Sequence, residues 1–310
     1  MSDFKLETSK TFFRGKFVDF NDANVSIASS PVLYGLSIYT VFGASWNSRE
    51  QKLYIFRLRD HYNRLVNSAK IMDFDDFASI CSFEEFEKTM IELLRINHIK
   101  QDVLVRSTIF IDELVAGTKI NGLKNSWSAY VYPMGEILPK TGANVCVSSW
   151  VRAADNAIPA RAKVNGNYVN ASLMKNEALQ NGYDDAIALD VNGNVSEGTV
   201  ANIFIIRDGL LITPHTTSDL LEGITRDTIL KLAKHFSIAV ESRSVNRTEV
   251  YIAEEVFYSG SSAQISPIIS VDKRKIGSGK PGKTTMEFMN YLDSLQRGNI
   301  PEFKHWLTIV

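Results

Sequence analysis

Residues 133–142, Pro133-Met134-Gly135-Glu136-Ile137-Leu138-Pro139-Lys140-Thr141-Gly142, hold two prolines and two glycines. Proline removes a backbone donor and fixes φ, and glycine weakens the interior of a helix or strand, so no regular element runs through such a stretch. The chain is therefore read as two domains, 1–132 and 143–310, joined by a linker at 133–142. A length of 310 residues with 45% hydrophobic side chains can bury two moderate cores.

Hydrophobic periodicity gives both halves strands and helices. In the first, 32–46 and 52–58 read as strands around the turn Trp46-Asn47-Ser48-Arg49-Glu50. Helices are expected at 60–72 and 83–96, and strands at 102–111 and 126–132. In the second, 144–150 reads as a strand and 169–181 as a helix ended by Gly182. Strands at 186–190 and 200–206 flank the Asn192-Gly193 turn, Asp208-Gly209 marks a further hairpin, and helices are expected at 224–237 and 283–296. The fold class is α+β, without internal repeat or low-complexity segment.

Composition excludes several functions. A net charge of −1 without a basic cluster argues against nucleic acid and membrane surfaces. Cys81 and Cys146 are too few and too far apart for a disulfide framework or zinc ribbon. His61, His98, His215, His235 and His305 lack ligand spacing, so no metal is expected. Met1-Ser2-Asp3-Phe4-Lys5 opens no apolar leader and no run of about eighteen apolar residues follows, which points to the cytoplasm.

Four segments carry the chemistry: Ile158-Pro159-Ala160-Arg161-Ala162-Lys163-Val164-Asn165-Gly166-Asn167-Tyr168, Val195-Ser196-Glu197-Gly198-Thr199, Glu222-Gly223-Ile224-Thr225-Arg226-Asp227 and Ser259-Gly260-Ser261-Ser262-Ala263. A lysine amine attacks an aldehyde only when deprotonated, a carboxylate can keep a ring nitrogen protonated, and a helix N-terminus with an arginine suits a phosphate. Taken singly, each is an ordinary loop lysine, surface acid or helix start. In this order they resemble the cofactor site of the fold-type IV pyridoxal-phosphate aminotransferases, the family of the branched-chain enzymes, over nearly the whole chain.

The resemblance implies a two-domain fold, a small α/β domain and a larger β-barrel-like domain, with pyridoxal 5′-phosphate as cofactor. It implies that Lys163 forms the Schiff base and shuttles the proton, and that Glu197 meets the ring nitrogen. Tyr168 would donate to the ring oxygen, while Arg64, Ile224, Thr225 and Ser261 hold the phosphate. The reaction implied is a ping-pong transamination between an amino donor and a keto acid. A homodimer is also implied, with the loop 110–119 reaching the partner's pocket.

The pocket residues follow two patterns. Branched-chain enzymes carry a tyrosine and then Phe-Glu-Gly and a basic residue, where this chain has Tyr34, Tyr39-Thr40-Val41 and Gly43. Leu104 stands where they place a tyrosine, whereas Arg106 keeps the family's carboxylate-binding arginine. Tyr39-Thr40-Val41-Phe42 with Trp46 looks more like the (R)-selective amine transaminases. Tyr34, Tyr39, Val41 and Tyr168 would line an apolar pocket, with Leu104, Arg106, Ser262 and Ala263 also at the substrate. Arg106 could instead be a structural ion-pair partner, and Tyr39 and Val41 could simply be strand packing.

The reading adopted is a transaminase for branched-chain or other hydrophobic L-amino acids and a keto acid such as 2-oxoglutarate. The runner-up is an (R)-amine or D-amino acid transaminase, and an aminodeoxychorismate lyase is a weaker third. From another class, Gly277-Ser278-Gly279-Lys280-Pro281-Gly282-Lys283-Thr284 fits the P-loop pattern. Only 26 residues follow Thr284, too few for the parallel sheet a P-loop opens, so a plain turn is expected. A non-catalytic scaffold would not need Lys163, Glu197, Tyr168 and Arg64 together.

Overall fold

The computed structural model describes residues 4–74, 77–115 and 117–310. Met1, Ser2 and Asp3 of the N-terminal reading, and Ala116 of the loop 110–119, lie outside them. Two compact units emerge. One comprises the chain up to Gly135 together with Ala162–Gly166 and Asp293–Val310; the other comprises Glu136–Arg161 and Asn167–Leu292.

The first unit opens with β1 (Lys10–Phe13), β2 (Lys16–Asp19) and the short helix α1 (Ser30–Tyr34). There follow β3 (Ser37–Asn47), β4 (Lys52–Phe56), α2 (Leu58–Ile71), α3 (Phe77–Ile80), α4 (Phe83–Ile96), β5 (Val103–Ile111) and β6 (Asn125–Pro133). These strands and the C-terminal Leu307–Ile309 form one antiparallel sheet, ordered Leu307–Ile309, β4, β3, β5, β6, β1, β2. Alternate residues of β3, Ile38, Phe42 and Ala44, enter a core with Leu65, Phe86 and Trp127, so one face of the central strand is spent on packing. Tyr39 and Val41 alternate to the other face.

Helix α4 starts where expected because Ser82 and Glu85 form a capping box, each side chain bonding the other's backbone N–H. The expected strand at 32–46 begins too early, since 32–34 belong to α1. Pro31 sits in that helix's first turn, where its missing N–H costs nothing, and Gly35 ends it in the left-handed conformation at φ 68°. The strand expected at 52–58 stops at Phe56. Arg57 turns at φ 50° and its guanidinium meets Asp60 at 2.7 Å, so Leu58 already opens α2.

In the second unit the chain forms β7 (Ala143–Val151), α5 (Tyr168–Gln180), β8 (Asp185–Leu189), β9 (Val195–Gly198), β10 (Asn202–Arg207) and β11 (Leu210–Pro214). Next are α6 (Ile224–His235), β12 (Val240–Arg243), α7 (Arg247–Tyr251), β13 (Glu255–Gly260), β14 (Gln264–Val271), β15 (Arg274–Lys275) and α8 (Lys283–Gln296). The sheet is mixed and runs β12, β11, β10, β13, β14, β7, β8, β9, with β15 beside β14. Three residues join β9 at one edge to β10 near the other, and Gly198 N–H donates to Ala201 O at 2.7 Å across that turn. A link this short requires the sheet to curl round on itself, giving the barrel-like element expected. Ile187, Val195, Ile203, Val256 and Tyr258 pack inside it.

The expected strand at 200–206 is corrected in the same place. Val200 and Ala201 are turn, and the partner of β8 across the Asn192-Gly193 turn is β9, which carries Glu197. Among the described residues no helix is long and apolar enough to cross a membrane, and no three His, Cys, Asp or Glu side chains could hold a metal ion.

The P-loop look-alike is a turn leading into α8. Glu255 takes the N–H groups of Thr284 and Thr285 at 3.0 and 2.8 Å and the Thr285 hydroxyl at 2.7 Å. The donors that a phosphate would need are already bound to a carboxylate.

Candidate active site

Within the first unit, Lys163 is clamped by its backbone. Its C=O accepts from Tyr39 N–H at 3.0 Å, its N–H donates to Ser68 Oγ at 3.2 Å, and Val164 bridges Ile38. A β-carbon on Gly35 would lie 2.7 Å from Gly166 Cα, so this close approach of two backbones needs glycine. Lys163 Nζ sits 4.9 Å from the Tyr39 ring centroid, and the Arg106 guanidinium carbon 3.6 Å from it. One aromatic ring thus faces both the guanidinium and the lysine amine. Val41 pairs with Arg106 and Gly43 with Leu104 across β3 and β5. Tyr39, Val41, Leu104 and Arg106 therefore share the sheet face opposite Ile38 and Phe42. Tyr34 ends α1, 42% exposed, before the Gly35 turn.

Arg64 lies one helical turn after His61. Its guanidinium donates to Thr40 Oγ1 at 3.3 Å, and Thr40 Oγ1 stands 2.8 Å from His61 Nδ1. Burial, together with the charges of Arg64, Arg57 and Lys163, holds the His61 imidazole well below its usual pKa, so it is neutral. The sequence listed His61 only as a scattered histidine. Its i, i+3 spacing from Arg64 was the available signal.

In the second unit Glu197 is buried, 4% exposed. Arg152 pairs with its Oε1 at 2.7 Å, and Asn202 donates to Oε2 at 3.0 Å. The same Asn202 amide donates to Leu221 O at 2.8 Å, and Leu221 N–H reaches Glu197 Oε1 at 3.4 Å. A β-carbon on Gly223 would lie 2.1 Å from Asn202 Oδ1. The start of α6, with Ile224 and Thr225 in its first turn and both buried, is thereby seated beside the carboxylate's support. Asn202 also pairs with Ser259 across β10 and β13, which brings the Ser261-Ser262-Ala263 turn to the same end of the sheet. Tyr168 opens α5 and lines a groove of about 440 Å³ with Ala171, Thr199 and Val200.

The structure thus brings Lys163, Arg64, Tyr39 and Arg106 together in one unit, and Glu197, Thr225 and the Ser261 turn in the other. Arg152 and Asn202 were missed. They lie 45 residues before and 5 after Glu197, and no spacing rule links an acid on β9 to partners just past β7 and at the start of β10.

Among the described residues, three buried polar atoms in the second unit, Ser196 Oγ, Ser259 Oγ and Asn167 Oδ1, have no protein partner. They flank Glu197, Gly260 and Tyr168 in the chain, and buried polar groups are ordinarily satisfied. With a buried carboxylate and a helix start alongside, this donor and acceptor set suits a polar, phosphorylated ring.

A family model for class IV amino-transferases matches residues 44–271. A probable branched-chain-amino-acid aminotransferase of Aquifex aeolicus is 39% identical over 302 residues, 96% of each chain. The branched-chain aminotransferase of Thermoproteus uzoniensis, solved with norvaline, superposes with a TM-score of 0.92 at 35% identity, over 97% of this chain and 99% of that one. That of Thermobaculum terrenum in its PLP form gives 0.91 at 30% identity, over 98% and 99%. With a match this long and site residues so arranged, the chain belongs to the class IV aminotransferase family.

Proposed function

We propose that this enzyme moves an amino group between a branched-chain or other hydrophobic L-amino acid and a keto acid such as 2-oxoglutarate, with pyridoxal 5′-phosphate as cofactor. The observation that carries the reading is Glu197, a carboxylate buried at 4% exposure and held by Arg152 and Asn202, the kind of group that can keep a ring nitrogen protonated. Bound, the cofactor supplies an aldehyde that captures amines and a ring that draws electrons from the carbon bearing the nitrogen.

Lys163 would supply the amine that meets that aldehyde, and its Nζ in the neutral form would take the proton from the substrate Cα. Tyr168 would donate to the ring oxygen. Arg64, the Ile224 and Thr225 amides and Ser261 would hold the phosphate, with neutral His61 supporting Arg64 through Thr40 without adding another charge. Ser262 and Ala263 bind the substrate carboxylate, Tyr34, Tyr39, Val41 and Leu104 the apolar side chain, and Arg106 the carboxylate of the acidic partner. Arg106 forms no ion pair among the described residues, which supports a substrate role over a structural one.

The sequence matches to branched-chain enzymes over 96% of the chain weigh against the (R)-amine and D-amino acid alternatives. The proposal extends to a cytoplasmic homodimer with the loop 110–119 at the partner's pocket, and to a division into 1–132 and 143–310 about a linker at 133–142, modified in that Ala162–Gly166 and Asp293–Val310 pack with the first unit.

Borohydride reduction of the holoenzyme followed by peptide mapping tests the centre of the reading. The phosphopyridoxyl label should fall on Lys163, and a label on another lysine overturns it. Mixing the holoenzyme separately with L-leucine, D-alanine and (R)-1-phenylethylamine tests the substrate class. L-leucine should bleach the cofactor absorbance fastest, and a faster amine would reverse the choice.

A further inference from the structure

Arg106 lies mid-strand in β5, with Val41 opposite it on one side and Tyr130 on the other. Its guanidinium has two neighbours. Its Cζ stacks 3.6 Å over the Tyr39 ring, and Nη2 donates to Asn165 Oδ1. The Asn165 amide is oriented from its far end, where Nδ2 donates to Ser37 Oγ at 2.7 Å. With Nδ2 committed to a hydroxyl, Oδ1 is the atom left to face the arginine.

Asn165 stands two residues after Lys163 and opens the 3-10 turn Asn165–Asn167. The next residue, Gly166, is tied to Gly35 by an N–H···O bond of 3.2 Å. The base and the support of the carboxylate arginine are therefore set by one short segment.

Both neighbours of Arg106 are neutral. An amide oxygen fixes a guanidinium in space while occupying one of its five N–H donors and cancelling none of its charge. A carboxylate in that position would fix it equally well and also neutralise it. We infer that Asn165 is a specificity-determining positioning residue, holding Arg106 with a neutral partner so that the guanidinium keeps its charge and its remaining donors for a substrate carboxylate. The inference rests on the substrate role proposed for Arg106 and adds how that role is kept available.

The plainer account is that Asn165 only closes the turn after Lys163. The two accounts differ in what aspartate does at this position. As a turn residue, aspartate replaces asparagine with little effect. As the partner of Arg106, it becomes an internal competitor for the substrate carboxylate.

Glutarate, a dicarboxylate with no amino group to react, is titrated calorimetrically into wild-type holoenzyme, Asn165→Asp, Asn165→Ala and Arg106→Gln, and into the four apoproteins. At pH 8, Asn165→Asp should weaken glutarate about tenfold or more, the factor expected when a partly buried ion pair competes for the same cation. The deficit should persist at pH 6, where the new carboxylate, its pKa kept below the usual value of about 3.9 by Arg106, is still ionised. Asn165→Ala should weaken binding about two- to fivefold at both pH values, the effect of one lost hydrogen bond. In steady state, Asn165→Asp should raise KM for L-glutamate with kcat little changed, whereas a distorted turn at Lys163 lowers kcat.

If Arg106→Gln binds glutarate as wild type does, the substrate role of Arg106 falls. If Arg106→Gln weakens binding and both Asn165 variants bind normally, the Asn165 inference alone is overturned. Should Asn165→Asp fail to unfold cooperatively, Asn165→Ala decides, and wild-type affinity there overturns the inference.

Discussion

Replacing Arg152 with methionine tests how Glu197 is held. The two residues are 7% and 4% exposed, with the nitrogen and oxygen 2.7 Å apart. Methionine fills much of the arginine stem's volume but leaves Glu197 as a buried carboxylate without its cation, Asn202 and the Leu221 N–H remaining among its partners. Removing one member of a buried pair costs about 3–5 kcal/mol, mostly from the stranded charge. Against a typical stability of about 5–15 kcal/mol this is a large fraction. With a urea slope near 3 kcal/mol/M, the unfolding midpoint of the apoprotein should fall by about 1 M or more. The double variant Arg152→Met/Glu197→Gln carries neither charge, so most of that loss should be recovered, and the cycle isolates the pair. Circular dichroism against urea gives all four midpoints. A single Arg152→Met costing under about 1 kcal/mol, or a double variant as unstable as the two singles summed, would refute the reasoning.

Two further changes follow from geometry. His61 stays neutral in the folded state because its pKa is depressed, while the unfolded chain takes up a proton below about 6.5, so stability falls as pH drops through that value. His61→Asn should remove about 1.4 kcal/mol of the wild-type difference between pH 7.5 and 5.5, measured by urea unfolding, and an unchanged difference would sink the assignment. Gly223 has φ −73° and ψ 137°, which alanine adopts without strain, so on backbone grounds Gly223→Ala should stabilise by about 0.4–1 kcal/mol. The 2.1 Å approach to Asn202 Oδ1 reverses that sign, and pyridoxal 5′-phosphate affinity, followed by equilibrium dialysis, should fall at least about tenfold. Wild-type affinity would show that Asn202 moves aside freely.

Long periodic elements were legible because their signals are local. Helices α4 and α8 run over 83–96 and 283–296 as read, the first fixed by a capping box and the second by helical apolar spacing, with Phe288 and Leu292 buried. Failures occurred where short-range geometry overrode periodicity. The apolar run Val32-Leu33-Tyr34 alternates well enough for a strand, yet Pro31 and Gly35 bracket it into a helical turn. Val200 and Ala201 have strand propensity but are consumed in the reversal that curls the sheet. At the site, Lys163 and Glu197 were visible from ordered segments, whereas Arg152, Asn202 and Thr40 were not. Their roles arise from side-chain contacts, Thr40 with His61 and Arg64 of α2, Arg152 and Asn202 with Glu197, which a linear pattern does not encode.

The shared ring of Tyr39 constrains how this pocket can change. An aromatic face carries a fixed negative potential, and here Arg106 and Lys163 both draw on it. With the roles proposed for Arg106 and Lys163, substrate choice and the proton-transferring amine are wired to one side chain. A phenylalanine at 39 preserves the face and both contacts, while an aliphatic residue chosen to widen the pocket withdraws the field from the lysine as well. Selectivity can be altered independently of the base at 41 and 104, where no cation rests, but position 39 has to be treated as belonging to the chemistry.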